Sequence, residues 1–568
     1  ALEMLEADAA DDQLQRTYDK LTRSFMWTND MEYNRALAWA ELSGYTMVVE
    51  QFGKGIWAGL PWFQDNWGRD TFIALPGILL VTGQYEEARE VIRNFARFQN
   101  DDPEMRTYGR VPNSITGLDS ISYNTTDGTL WFVREIGEYL RYTGDIFFAQ
   151  EMYPIVRRAV EGAIENYVDF EGLLTHAPAD TWMDAALGAG TYWSPRGSRA
   201  VEIQALWHET LRIAADLARR FGDDDNARNW STLADRVRAN FLNRFWDQGN
   251  ERMADRIRED DTPDYKLRPN QLMAISVPMD ERFIPAEIEA EVLRRTVSGL
   301  LYPWGIASLG QDEEYFHPYH ESGYEYYSKD AAYHNGTVWV WNAGFTISAL
   351  TRFGYQNHAW DLTKNLADQV LTMGTRGSMS ELVEAFPTEE GNIRLSGTFS
   401  QAWSVSEFTR NAFQDYLGFA PDVLNESMTL RPRLPDEITE LRARMPLADG
   451  RTLFIEIEVS DGNEFWTLAL EGVGSADIFD LHLEPMVDGA RYRVSTTISP
   501  GFPVSLVSNR NQVSMRLDRM RVAPQRVLQS YRQQIGELEF VTPRPLEGIP
   551  TIENETYLQN IVEAGEYR

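Results

Sequence analysis

From about residue 12 to residue 420 the apolar positions of the chain recur at helical spacing. Tyr85, Ala88, Ile92, Phe95 and Ala96 make one such stripe, and Leu130, Val133, Ile136, Gly137 and Leu140 another. Further stripes near 148–168, 198–221, 224–244, 285–299, 335–353, 356–373 and 401–416, with the opening segments, predict about a dozen helices. Long loops rich in Gly, Pro and Trp (100–124, 169–197, 301–334) lie between them, and loops of that length in a compact array point to function. There is no internal sequence repeat, so any repetition is architectural. Near residue 425 the period drops to two. Residues 452–459 alternate, as do Tyr492, Val494, Thr496 and Ile498, and Asp461-Gly462-Asn463 sits where a hairpin would turn. Residues 427–520 therefore read as an antiparallel β module, followed by a predicted helix over 525–536. The expected organisation is a mainly α chain: a helical domain over 1–424, a sandwich-like β module over 425–540 and a tail over 541–568.

Composition narrows the function. The 568 residues are 43% hydrophobic, enough for a full core. Net charge is −33, and only Lys20, Lys54, Lys266, Lys329 and Lys364 among the 53 basic residues are lysines. Such a surface repels nucleic acid and anionic membranes, and fits a neutral substrate or a salty medium. No apolar run is long enough to span a bilayer. The acidic start lacks the basic opening of a signal peptide, so a cytoplasmic protein is expected. With no Cys there are no disulfides or thiol chemistry. The 17 Trp stand out because several lie in loops beside Asp, Arg and Gly, where flat rings suit sugar faces and charged neighbours suit hydroxyls.

Four clusters carry candidate chemistry. Asp65-Asn-Trp-Gly-Arg-Asp70 precedes an apolar run that reads as a helix; Trp67 offers a ring, and Arg69 and Asp70 offer donors and acceptors. The competing reading makes Asp70 a helix cap held by a structural ion pair. Asp180-Thr-Trp-Met-Asp184, Asp330 to Trp341, and Gly377 to Glu384 with Gly397 to Trp403 complete the set. Their spacing, which skips pairs of helices, suggests loops converging on one end of a barrel of helices. Cleaving a glycosidic bond takes one protonated and one ionised carboxyl group. Asp184, among Trp182, Met183 and Ala185 to Leu187, suits the acid; Glu381, after a Gly/Ser loop, suits the base. Asp180 and Glu384 are the alternatives, and any of these carboxylates can instead cap a helix. His317-Pro-Tyr-His320-Glu321 has metal-like residues, but its proline breaks helical spacing and no metal is expected. Nucleotide loops and an esterase elbow are absent.

Several stretches together resemble the amylo-α-1,6-glucosidase family, the C-terminal catalytic domain of glycogen debranching enzymes. They are Pro61-Trp-Phe-Gln-Asp-Asn-Trp-Gly-Arg-Asp-Thr-Phe-Ile-Ala-Leu-Pro-Gly77, Tyr123-Asn-Thr-Thr-Asp-Gly-Thr-Leu-Trp-Phe132, Thr181-Trp-Met-Asp184, Val201-Glu-Ile-Gln-Ala-Leu-Trp207, Tyr333-His-Asn-Gly-Thr-Val-Trp339, Ser380-Glu-Leu382 and Ser400-Gln-Ala-Trp-Ser404. The resemblance implies an (α/α)6 toroid and an inverting, cofactor-free glucosidase acting on an α-glucan or α-glucoside. It implies Asp184 as general acid and Glu381 as general base, with Arg69 and Asp70 gripping the glucose that is released. Trp67, Asp127, Trp131, His334 and Trp339 match pocket positions. Trp182, Glu202, Gln401 and Trp403, in the other matching stretches, join the expected substrate-binding set. The chain departs from the family by lacking the β domain ahead of the toroid, by carrying a β module after it, and by having no (β/α)8 transferase half. Shorter acceptors are therefore expected beside branched glucan. The rival readings are a trehalase-like or other α-glucosidase acting on a small glucoside, and a non-catalytic glucan-binding protein.

Overall fold

Wherever the apolar stripes are longest, helices form and bury them. The computed structural model of the chain describes residues 9–188, 191–321, 327–388, 390–472 and 478–544. The helices are α1 (Ala9–Leu21), α2 (Met31–Thr46), α3 (Gly68–Leu75), α4 (Tyr85–Arg97), α5 (Asp127–Thr143), α6 (Ile146–Asn166), α7 (Val201–Arg220), α8 (Asp224–Phe245), α9 (Met273–Ser276), α10 (Ala286–Leu300), α11 (Lys329–Tyr333), α12 (Asn342–Arg352), α13 (Gln356–Thr372), α14 (Ala402–Arg410) and α15 (Arg532–Ile535). Local chemistry sets their ends. Asp30 caps α2 by accepting from the backbone N–H groups of Glu32 and Tyr33. Gly144 closes α5 in the left-handed conformation, its N–H donating to Leu140.

The buried faces pack in a closed circuit: α3 on α5, α5 on α7, α7 on α9, α9 on α12, α12 on α14, and α14 back on α3. Outside it, α4 covers α5, α6 and α8 cover α7, α10 and α13 cover α12, and α2 covers α14. Phe72 of α3 meets Phe95 and Phe132 edge to face at 4.9 and 5.1 Å, clamping α3 between α4 and α5. Each such pair adds about 0.5–1.5 kcal/mol beyond its burial.

The C-terminal part is a pair of sheets. One runs in the order Phe25–Thr28, Glu440–Pro446, Thr452–Ser460, Asn463–Glu471, Val504–Asn509, Met515–Leu517 and Met520–Val522. Ser460 pairs with Asn463, and Asp461 and Gly462 between them both have positive φ, which makes the expected hairpin turn. The other sheet contains Phe419–Asp422, Ser427–Leu430, Phe479–Leu483 and Ala490–Ile498.

Four sequence expectations need correction. The module is not wholly antiparallel, because Ser427–Leu430 runs parallel to Phe479–Leu483. Strand Phe25–Thr28, from the start of the chain, pairs with Glu440–Pro446. The helix predicted over 525–536 reduces to α15, because Gln525–Leu528 pairs as a strand with Ala490–Ile498, and tertiary pairing outweighs weak local propensity. The helix predicted from 335 starts only at Asn342, because Val338–Trp339 is spent on a three-stranded sheet with Leu382–Val383 and Leu395–Ser396.

Candidate active site

Two short sheets aim the candidate residues at one another. Strand Phe63–Trp67 leads straight into α3, so Trp67 ends the strand and Arg69 and Asp70 occupy the first turn of the helix. The N–H of Gly68 donates to the Asn113 carbonyl at 2.7 Å, and a Cβ there would strike the Pro112 carbonyl oxygen. Only glycine permits that approach. Gln401 joins the same sheet by pairing with Gly59. In the second sheet Trp339 pairs with Leu382, and the Val340 N–H donates to the Glu381 carbonyl at 3.2 Å. The strand thereby sets Glu381 beside Trp339.

The polar groups are linked in pairs. Arg69 Nε donates to Asp127 at 2.7 Å and its Nη1 donates to Asp184 at 3.1 Å. Gln401 Nε2 donates to Asp70 at 3.4 Å. Glu381, only 3% exposed, accepts the Tyr333 hydroxyl on one oxygen and the Thr398 N–H, at 2.8 Å, on the other. Gly397 precedes Thr398 with φ +72°, and a Cβ there would lie 2.8 Å from the Glu381 Cβ. The Asp184 side chain is 39% exposed, the most open of these carboxylates.

Burial pushes the Asp70 carboxyl up to about 7 against the pull of Arg69, and the charges of Asp184 and Glu381 add to the rise. Asp70 therefore feels both candidate catalytic carboxylates at once. Asp184 is raised by loss of water in the pocket, opposed by Arg69. Glu381 is raised by burial, opposed by its two donors. Burial also raises Asp127, again against Arg69. The same carboxylates outweigh the burial of Arg69 and hold its guanidinium charged.

The aromatic residues form a wall beside these groups. His334 stacks on Trp339 at 5.0 Å, and Trp182 meets His334, Trp339 and Trp341 edge to face. Trp403 stacks on Trp341 and meets Trp339 edge to face. The Trp182 indole N–H donates to Asn270 at 2.8 Å, and the Trp339 one to the Tyr333 carbonyl at 2.6 Å. Burial, then Arg268 and Arg69, drive His334 well below its ordinary value, so its ring is neutral. Arg69 Nη2, Asp127 Oδ1, both ring nitrogens of His334, and the indole N–H groups of Trp67 and Trp403 have no hydrogen-bond partner among the described residues. Buried polar atoms are rarely left so, and a ring of hydroxyls is the partner they suit.

Two expected residues stand apart. Trp131 packs on Phe345 at 5.8 Å and is joined to the wall through Phe345 and Trp341. Glu202 is locked to Arg196 at 2.5 Å, in a buried network with Asp255, and burial lifts it to about 7 against that arginine. The alternative carboxylates are engaged elsewhere: Asp180 with Thr126 and Arg110, Glu384 with Arg394 at 2.8 Å. Tyr333, Thr398, Trp341 and Asn270 were missed. Tyr333 and Trp341 stand in the same run as His334 and Trp339, so proximity could have found them; Asn270, in Pro269-Asn-Gln-Leu272, carries no such signal. Among the described residues no group of three or more His, Asp or Glu is arranged to hold a metal ion, and no helix is long and apolar enough to cross a membrane.

Comparison with known proteins adds identity. The sequence profile of the amylo-alpha-1,6-glucosidase family matches residues 23–410. The glycogen debranching enzyme of Saccharomyces cerevisiae is 24% identical over 466 residues, 61% of this chain and 29% of the yeast protein. Solabiose phosphorylase of Paenibacillus borealis is 28% identical over 194 residues, 32% of this chain and 22% of that one. The chain thus spans less than a third of the length of these curated relatives. In fold it is similar to a GH78 family rhamnosidase from Bacillus sp. GL1, with a TM-score of 0.56 at 16% identity, over 82% of this chain and 42% of that one.

Proposed function

Because the chain belongs to the amylo-alpha-1,6-glucosidase family, we propose that it is an inverting glycoside hydrolase releasing terminal glucose from α-glucosidic linkages, α-1,6 foremost, of glycogen-like or shorter α-glucans. The helical part is then an (α/α)6 toroid over 1–424, a reading supported by the closed circuit of helix contacts, and the β module over 425–540 is a second domain.

The observation that supports the reading is the linkage around Arg69: it bonds Asp127 and Asp184, and the charges of Asp184 and Glu381 both act on the adjacent Asp70. Asp184 gives its proton to the glycosidic oxygen as the bond to C1 breaks. Glu381 takes a proton from a water whose oxygen attacks C1 from the opposite face, so glucose leaves with inverted configuration. Two donors on Glu381 favour its ionised form, as a base requires. Arg69, Asp70 and Gln401 hold hydroxyls, while Trp67 and the His334–Trp339 stack flank the ring.

Phosphorolysis, suggested by the phosphorylase relative, is disfavoured by charge. Asp70, Asp127, Asp184 and Glu381 outnumber the cations that act on them, Arg69 and, at Glu381, Lys329, and such a site repels phosphate. The test is glucose release from isomaltose, panose, maltose, trehalose and limit dextrin, followed by proton NMR. Initial β-glucose from an α-1,6 substrate is expected. Initial α-glucose removes the base role from Glu381, and no release from any of the five sinks the hydrolase reading.

A further inference from the structure

The inner helices α5, α12 and α14 all begin at the pocket, and their far ends line a separate cavity of about 170 Å³ against the C-terminal sheets. Arg141, Arg352 and Arg410 stand in the last turns of these helices, where cations answer the negative helix ends. The acids that line the cavity already have partners: Glu138 with Arg134 at 2.7 Å, Asp280 with Arg141, and Asp415 with Asn411 at 2.6 Å and Arg410.

Three more arginines reach the cavity from the β module, and helix ends do not account for them. Arg491 has its Nε 3.2 Å from Glu484, an acid that Arg493 also holds. Arg433 is 4% exposed; its Nη1 donates to the Pro432 and Glu484 carbonyls, and its Nη2 has no hydrogen-bond partner among the described residues. Arg431 forms no side-chain hydrogen bond or ion pair among the described residues. Burial and then the charge of Arg491 push Arg433 down to about 9, against the pull of Glu484. The charge of Glu484 is shared among Arg431, Arg433 and Arg491, and buried guanidinium donors left without a hydrogen-bond partner are costly.

We infer that this cavity is a second binding site, built for a small anion of the phosphate class. Guanidinium forks match phosphate oxygens in pairs, and a multiply charged tetrahedral ion offsets several arginines where chloride offsets one. The inference is independent of the hydrolase reading, because its test measures no activity.

Calorimetric titration and thermal melts of the full chain, at fixed low ionic strength, use orthophosphate, pyrophosphate and glucose 6-phosphate against sodium chloride. We expect a Kd below about 1 mM for at least one phosphate compound and a higher melting temperature than in chloride. Preference for orthophosphate or pyrophosphate points to a free ion, and preference for glucose 6-phosphate to a phosphorylated sugar. Arg431→Gln is expected to weaken that Kd by about tenfold or more, while Arg431→Lys retains part of it. Arg491→Gln serves as a second variant if Arg431→Gln fails to fold. Equal stabilisation by chloride, or an undiminished Kd in the folded glutamine variants, overturns the inference.

Discussion

The two ends of α5 meet opposite environments. Asp127, its first residue, holds Arg69 at the pocket, while Arg141, in its last turn, holds Asp280 at the far cavity. The same polarity recurs along the circuit: Asp70 opens α3 and Glu202 opens α7, whereas Arg352 and Arg410 close α12 and α14. Helix dipoles favour this sorting, acids toward the N-terminal ends and cations toward the C-terminal ends, each worth about 0.3–1 kcal/mol and more when partly buried. A net charge of −33 conceals it. The comparison teaches that one set of helices presents an acidic, aromatic mouth suited to a neutral sugar and a basic floor suited to an anion.

Breaking the acidic end should cost most. Asp184→Asn and Glu381→Gln are each expected to lower kcat at least about a thousandfold, near 4 kcal/mol of barrier, with the melt unchanged. Wild-type turnover in either folded variant would remove that residue from its role. Measured above pH 7, where Asp70 is ionised, Asp70→Asn should reduce kcat/KM about tenfold to a hundredfold, through lost charge-assisted hydrogen bonds to hydroxyls.

The same variant sharpens the electrostatics. A carboxyl raised from its ordinary 3.8 to about 7 keeps its proton in the folded state while the unfolded chain has already lost it. Its contribution to stability is thus present at low pH and falls as pH rises through that window. Relative to wild type, Asp70→Asn should gain stability between pH 5 and pH 8, by at most roughly 3 kcal/mol. Melts at both ends of the range check this, and a constant difference would mean that Asp70 is ionised throughout.

Tyr333→Phe takes a donor from Glu381 and should lower kcat about tenfold while moving the acidic limb of the kcat/KM profile upward. A fall in kcat with the limb unmoved would make Tyr333 a packing residue. The smallest effect is expected at the basic end, where Arg431→Gln should leave kcat/KM on the best substrate within about twofold. A large kinetic loss there would show that the two ends do not act independently.

Long periodic stretches were legible from the sequence. The stripes of α4, α5 and α8 recur every three to four residues and predict their helices, and the 452–459 alternation predicts its strand. What escaped is encoded in a handful of residues. The two-residue strands at Val338–Trp339 and Leu382–Val383 have no period to read, although they set Glu381 beside Trp339. The candidate site was legible as motifs but not as geometry: Arg69 stands next to Asp70 in sequence, yet its partners in space are Asp127 and Asp184. The basic cavity was invisible because its arginines come from both structural parts and share no motif.

Strand Phe25–Thr28 has a consequence for synthesis. Its partner strand, Glu440–Pro446, is roughly 400 residues downstream. At ribosomal rates of about 5–20 residues per second, that partner emerges some 20–80 s later. Throughout that interval Met26 and Trp27 have an unpaired edge of backbone beside them. The pairing of Phe25–Thr28 therefore waits for the C-terminal sheets, and trimming those sheets would leave its backbone edge open.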